Sequence, residues 1–403
     1  MFSRGFPVLW ASVTISSLGN GMRFVALPLL AVRLTDDARL IALVALAGQL
    51  PSVLLALPAG AWADRIDRRR ILFGADAART LVTGALAAAV ATGTARIGWL
   101  VLAALLLGTG EVLYAAGWSG MVPTLVPPAE RARANSRIQA GALITDTLIG
   151  TPLGAVLFAL AAALPLAVDT LSFAGAAALV LLLHGDFRPR PPADATGPAP
   201  LGRQVAEALR WLRGRPVLFR LCLAGGVSGA VSSGLIAVLV LYTGRVQHLG
   251  PTGFALLVAA FAVGGLLGSA LTPRLLHRWG VRTTMVGGVL GSAACALLVA
   301  LAPAPAVAAL GVALYGLTEF AWAIGGVTLR QAQIPSHLLG RVAMAYQLVF
   351  NAAGAAGAAL AGVLAHQWGP RTPYLAGAAL LLTVPLLLPG TRREAAGWAL
   401  AGH

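Results

Sequence analysis

Long apolar runs follow one another along this 403-residue chain, separated by short polar breaks. Each is close to, or longer than, the roughly 20 residues that cross a bilayer as a helix. The pattern predicts twelve spans, near 7–33, 39–62, 71–92, 97–121, 137–163, 164–184, 216–243, 252–276, 282–302, 305–330, 339–366 and 370–390. Within the runs the apolar positions do not alternate, which excludes a strand-built barrel. The fold class is therefore an all-α membrane protein.

One connection is longer than the rest. Residues 185–215 open on a proline-rich stretch and continue with Leu201, Val205, Ala208, Leu209 and Leu212 on one helical face. Arg203, Arg210 and Arg213 lie mostly elsewhere, so this half reads as an amphipathic helix at the membrane surface. The expected organisation is a six-helix bundle over 1–184, this linker over 185–215, and a second bundle with a short tail over 216–403.

The two bundles echo each other at an offset of 208: Gly60 with Gly268, Gly108 with Gly316, Glu111 with Glu319, Pro127 with Pro335, Arg133 with Arg341, Gln139 with Gln347, Gly154 with Gly362. Six spans per half bring both halves into the membrane in the same direction, the geometry of parallel transporter repeats.

Composition narrows the class. Hydrophobic residues make up 58% and charged residues 11% of the chain, too little polar surface for a soluble protein of this length. The net charge of +15 would suggest nucleic acid, but the arginines sit between spans rather than on an aromatic-laced basic face. With the termini on one side, that side collects 23 arginines and the other five, with Arg23 inside a span. The positive-inside rule then puts both termini in the cytoplasm. Met1-Phe-Ser-Arg4 leads into a first span too long for a signal peptide, so the span is expected to be retained. Richness in Ala, Gly and Arg suggests a GC-rich bacterial genome and hence a plasma (inner) membrane.

Enzyme chemistry finds no support. The six histidines stand at span ends or in loops without metal spacing, and the two cysteines, Cys222 and Cys295, lie in different spans. A chain without lysine lacks a Walker-type phosphate loop. No cofactor is expected; any energy source is an ion gradient or the substrate's own. A monomer is expected, in contact with lipid, protons and a small molecule.

The densest polar break is Gly60-Ala-Trp-Ala-Asp64-Arg65-Ile-Asp67-Arg68-Arg69-Arg70. Gly60 and Asp64 are four apart and share a face, where glycine allows close helix approach and Asp64 can cap or pair. This stretch resembles the loop between the second and third spans of the major facilitator superfamily, Gly-x-x-x-Asp-Arg-x-Gly-Arg-Arg, with Asp67 in place of the loop glycine. Ala75-Asp76-Ala-Ala-Arg79, Val122-Pro-Thr-Leu-Val126-Pro, Arg133-Ala-Asn135 and Glu207-Ala-Leu-Arg-Trp-Leu-Arg-Gly-Arg-Pro216 are similar to a branch containing siderophore exporters and macrolide efflux proteins. In the second half, Thr272 and Pro273 replace the Asp64–Arg65 pair. The resemblance implies that Gly60, Asp64, Arg65, Arg68, Arg69 and Arg70 latch the cytoplasmic side shut. Asp76 and Arg79, read at the cytoplasmic start of the third span, are expected as a salt bridge or latch partners. In the fifth span, Gly141 and Gly150-Thr-Pro152-Leu-Gly154 resemble the glycine–proline motif of proton-coupled exporters. The small residues suit close packing and Pro152 a bend.

Ionisable residues deep in a span are costly and usually functional. Arg23 lies in the first span on one face with Asn20, Glu111 in the fourth, Asp146 in the fifth. The superfamily fold would bring these spans around a central cavity. Glu111 or Asp146 is then a proton-loading carboxylate tuned by Arg23; alternatively the arginine and carboxylate merely satisfy each other. Glu319 is a relic of duplication or a further proton site. Asp169 reads as a solvated or capping residue near an outer span end. Asn20, Arg23, Gln49, Tyr114, Trp118, Trp322, Gln347, Phe350 and Asn351 are candidate substrate contacts, each also explicable as packing. The reading is an alternating-access exporter of a small amphipathic compound by proton antiport. Uptake, uncoupled facilitation, or a non-transporting receptor or scaffold are the rivals.

Overall fold

A computed structural model describes residues 5–55, 58, 59, 62, 66–127, 130–185, 187, 207, 210–334 and 336–388. The chain runs α1 (Gly5–Leu34), α2 (Ala38–Leu54), α3 (Arg68–Ala91), α4 (Ile97–Leu125), α5 (Arg131–Leu143), a π-helical segment (Ile144–Gly150) and α6 (Thr151–Leu160). It continues through α7 (Leu164–Leu181), α8 (Pro216–Arg245), α9 (Pro251–Leu301), α10 (Pro305–Gln333), α11 (Ser336–Trp368) and α12 (Thr372–Leu387). Among the described residues nine helices are long and apolar enough to cross a membrane, and α2 and α12 are shorter apolar helices. The 51-residue α9 is broken at Gly280, where φ is 75°, a conformation that suits glycine. It therefore supplies the eighth and ninth spans, and α5, the π segment and α6 together make the fifth. The twelve spans are present.

Two compact units emerge, one of Met1–Asp36 and Leu43–Pro198, the other of Asp37–Ala42 and Ala199–His403. In the first, α1 packs on α7 and on the fifth span, while α3 packs on α4 and α7. In the second, α9 packs on α10 and α12, and α8 on α11. The repeat shows in the helix ends: α4 and α10 each have 29 residues and begin and end 208 positions apart. Bare glycines make the close crossings. A Cβ on Gly264 would sit 1.7 Å from the Ala313 carbonyl oxygen, and one on Gly316 2.2 Å from that of Phe261. Such small-residue contacts are how spans pack when lipid offers no hydrophobic drive. Leu81, Leu160, Leu171 and Leu386 stay exposed.

Caps mark two of the breaks. Asp37 accepts from the Arg39 backbone N–H at 2.8 Å, and the Arg39 side chain beside it holds the Asp37 carboxyl down at about 2. Asp67 caps α3, its side chain accepting from the Arg69 N–H at 2.9 Å. That gives a physical reason for the departure from the loop glycine. Replacing Asp67 by Ala is expected to destabilise by about 1 kcal/mol, and by Ser or Asn much less; thermal melts of the detergent-purified protein measure it. Arg69 reaches across to the Val180 and Leu181 carbonyl oxygens at 3.3 and 2.5 Å, the end of α7, where a cation is favoured.

Candidate functional site

On α1, Ser12, Ser16, Asn20 and Arg23 fall at spacings of four, four and three, so one stripe of an otherwise apolar helix is polar. The stripe faces the interior of the first unit, where α3 brings Asp76, Arg79 and Thr83, and α4 brings Glu111 and Tyr114. Arg23 donates to Glu111 Oε2 at 2.8 Å and to Asn20 Oδ1 at 3.3 Å. Arg79 also donates to Asn20 Oδ1, in a short contact, so one amide oxygen bridges two guanidinium groups. Arg79 Nη1 donates to Ser16 Oγ at 3.1 Å and pairs with Asp76 Oδ1 at 3.2 Å. Ser12 and Tyr114 exchange a hydrogen bond of 2.9 Å.

Burial is graded along this network. The Glu111 side chain is 52% exposed and that of Arg23 10%. Beyond them Arg79 and Asp76 are 1% and 0% exposed, and Asp169 is wholly buried. The Arg79 guanidinium lies over the Phe173 ring, its Cζ 4.0 Å from the centroid, a cation–π contact that offsets part of its lost hydration. The arrangement thus runs from an open carboxylate into a sealed charge cluster. Burial on this scale is tolerated only because each guanidinium finds several acceptors.

Asp76 and Arg79, expected as a salt bridge or latch partners at the cytoplasmic start of their span, form the salt bridge but lie deeper than expected, in this sealed cluster. The helix begins earlier than its apolar run, at Arg68, which puts Arg79 twelfth of 24 residues. Asp169, expected to be solvated, is buried against α1: a Cβ on Gly19 would come 1.9 Å from its Oδ1. Gly19 is the middle of the 30-residue α1, so Asp169 sits at mid-helix depth although α7 itself starts only five residues before it. An uncapped carboxylate in an apolar run, with Ser172 three residues on, was the available signal.

Asp146 lies in the π segment against α1, where a Cβ on Gly21 would meet its backbone oxygen at 1.9 Å. Pro152 lacks an N–H, and Thr151 bonds back five residues to the Asp146 oxygen, so the proline is accompanied by a widened turn rather than a simple bend. Gly150 abuts the Leu18 oxygen and Gly154 abuts Met22, while Gly141 faces Trp10. Tyr114 is buried in the core with Phe6, Leu9 and Met121, and Trp118 packs against that core. Trp322 is buried, and Gln49 is half-buried. Trp322 therefore packs rather than lining an open surface.

In the second unit Glu319 is 8% exposed, with no hydrogen-bond or ion partner among the described residues. Gln347 donates to Asn351 Oδ1 at 2.9 Å on an exposed face of α11, and Phe350 packs on α8 at Gly229. Of the hinge, Gly60, Asp64 and Arg65 fall outside the described residues. Arg68 crosses Gly120 of α4 with its Nε buried, and Arg70 is exposed. Among the described residues no three His, Cys, Asp or Glu side chains gather as metal ligands.

A family model described as the Major Facilitator Superfamily matches residues 9–358. The multidrug efflux pump Tap of Mycolicibacterium fortuitum is 29% identical, over 95% of this chain and 93% of that protein. The enterobactin exporter EntS of Citrobacter koseri is 25% identical, over 95% and 90%. Among solved structures, the nucleoside transporter NupG (D323A mutant) superposes with a TM-score of 0.75 at 12% identity, covering 98% and 99% of the two chains. A bacterial homologue of the iron transporter ferroportin gives 0.73 at 18% identity, over 96% and 98%.

Proposed function

The chain belongs to the major facilitator superfamily, a multi-pass transporter family, and from that premise we propose that it exports a small amphipathic organic compound in exchange for protons. The observation that carries the reading is the Arg23–Glu111 pair. A half-exposed carboxylate is held by a nearly buried guanidinium at 2.8 Å, in the middle of two long spans. When ionised, Glu111 is occupied by Arg23 or by a positively charged group of the substrate. When protonated it loses its attraction for either. One carboxyl that cannot hold a proton and a cation at once is the elementary device of an antiporter.

Export is favoured by the similarity to a multidrug efflux pump and to an enterobactin exporter. The substrate is then a drug-, antibiotic- or siderophore-like compound. Asn20 in the first unit and the Gln347–Asn351 pair in the second are its candidate contacts. Asp146 and Glu319 are further proton-binding carboxylates. The richness in Ala, Gly and Arg supports a bacterial inner membrane, the arginine asymmetry supports both termini inside, and the hinge Gly60–Arg70 acts as the cytoplasmic latch. The chain transforms nothing chemically.

Proteoliposomes with a fixed pH gradient and a pH-sensitive dye test this on ethidium, tetracycline, erythromycin and a catecholate siderophore. Wild-type protein is expected to move protons with at least one of them, and Glu111→Gln to lose at least 90% of that flux at normal reconstitution. Compound movement without protons would instead select uncoupled facilitation, the reading in which Arg23 and Glu111 only neutralise each other. Full activity in Glu111→Gln would remove this residue from the mechanism.

A further inference from the structure

Asp169 has no role in the reading above, yet its surroundings are unusual. Its Oδ2 is one of eight buried side-chain atoms among the described residues without a hydrogen-bond partner, and four of the others lie in the same part of the first unit: Asp76 Oδ2, Arg79 Nε, Arg23 Nη1 and Thr83 Oγ1. All five belong to α1, α3 and α7, helices that pack on one another. An unpaired buried donor or acceptor costs roughly 1–3 kcal/mol, and buried polar groups left over by protein partners are characteristically joined by ordered water. Three acceptors or hydroxyls and two guanidinium donors form a set that bound water can satisfy.

Charge around Asp169 is also unbalanced. The groups facing it are Arg23 on α1, Asp76 and Arg79 on α3, and Glu111 on α4, with Asp146 on the π segment bearing on Glu111 and Arg23; α6, which also packs on α7, carries no titratable side chain. Two cations therefore serve Glu111, Asp76 and Asp169 before Asp146 is considered. Arg23 bonds to Glu111, and Arg79 to Asp76. Asp169 bonds to neither. Its neighbour Ser172 has one hydroxyl proton and directs it chiefly to the Asp169 backbone oxygen at 2.8 Å, which leaves only a long 3.4 Å contact from Ser172 Oγ to Asp169 Oδ1. A carboxylate that bonds to neither cation is costly to keep ionised in such a buried place.

We propose that Asp169 is a proton-binding site behind Glu111, held as a neutral carboxylic acid and exchanging its proton with Glu111 through water bound among Asp76, Arg79, Thr83 and Arg23. The inference deepens the proton-coupled reading and rests on it for its purpose. The transfer breaks one O–H bond at Asp169 and forms one at Glu111. The negative charge passes inward from the Arg23 pair to the pocket that Arg79 overlooks, so the network's net charge is unchanged.

Infrared difference spectroscopy of the purified protein tests this without any transported compound. At neutral pH the wild type is expected to show a protonated-carboxyl C=O band that Asp169→Asn removes and that shifts in D2O. Because asparagine reproduces the neutral acid in shape and charge, this variant is expected to fold with an unaltered melt. An unchanged band in Asp169→Asn, or a variant that fails to fold, would overturn the site; a band that stays unshifted in D2O would overturn the water route. If the proteoliposomes show no proton flux while the Asp169 band is present, the antiport reading fails and the site stands.

Discussion

Arg79→Met is expected to lose about 3–5 kcal/mol of stability, the cost of leaving a buried carboxylate without its cation. Asp76 would keep only the Ser16 hydroxyl at 3.3 Å, and Asn20 would lose one of its two guanidinium donors. Asp76→Asn is expected to cost less, since Arg79 retains Ser16, Asn20 and the Phe173 ring. The double variant Arg79→Met/Asp76→Leu should recover much of the single loss, because replacing both members of a buried pair by apolar groups is often close to neutral. Thermal melts followed by size-exclusion recovery measure all three. A double variant no better than Arg79→Met would mean that Arg79 matters chiefly as the partner of Asn20 and Ser16.

Gly21→Ala is expected to disrupt the first unit more than its size suggests. The added Cβ would stand 1.9 Å from the backbone oxygen of Asp146, and a carbonyl held in a helix cannot swing aside as a side chain tip can. The two helices must part, at a cost of about 1–3 kcal/mol or more. Gly74→Ala is the control. Its Cβ meets nothing within 4 Å, so relief of glycine's entropy should stabilise α3 by about 0.5–1 kcal/mol. Equal melts for the two variants would mean that α1 and the π segment tolerate separation, contrary to the tight contacts at Gly150 and Gly154.

How far the chain could be read in advance depended on whether a property is carried by one helix or by two. Span count, fold class and the 208-residue repeat are properties of runs, and the runs are long and apolar; the equal lengths of α4 and α10 follow directly. Arg23 and Glu111 were visible as costly charges, and their 2.8 Å contact only adds the pairing. Asp169 and Arg79 were misplaced because depth was gauged from the nearest polar break. Depth is set by the neighbouring helix: Asp169, only five residues into α7, lies against Gly19 at the middle of α1. Tyr114 and Trp322 show the same limit: a helical face can be named from spacing, but which neighbour covers it cannot. The π segment was hidden for a different reason, since Pro152 signals an interruption without saying whether the chain kinks or widens there.

That widening has a consequence for anyone aligning this protein with its relatives. Residues four apart drift about 40° around an α-helix at each step, so positions 146, 150 and 154 should walk off the side facing α1. They do not, because a π turn closes with one residue more than an α turn and absorbs the drift. The fifth span is in effect an ordinary helix with a single inserted residue. A relative that lacks the widened turn must be aligned with a one-residue gap between 144 and 150. Ungapped, every correspondence beyond that point would shift by one position, and Gly154 would be matched to a residue on the wrong side of its helix.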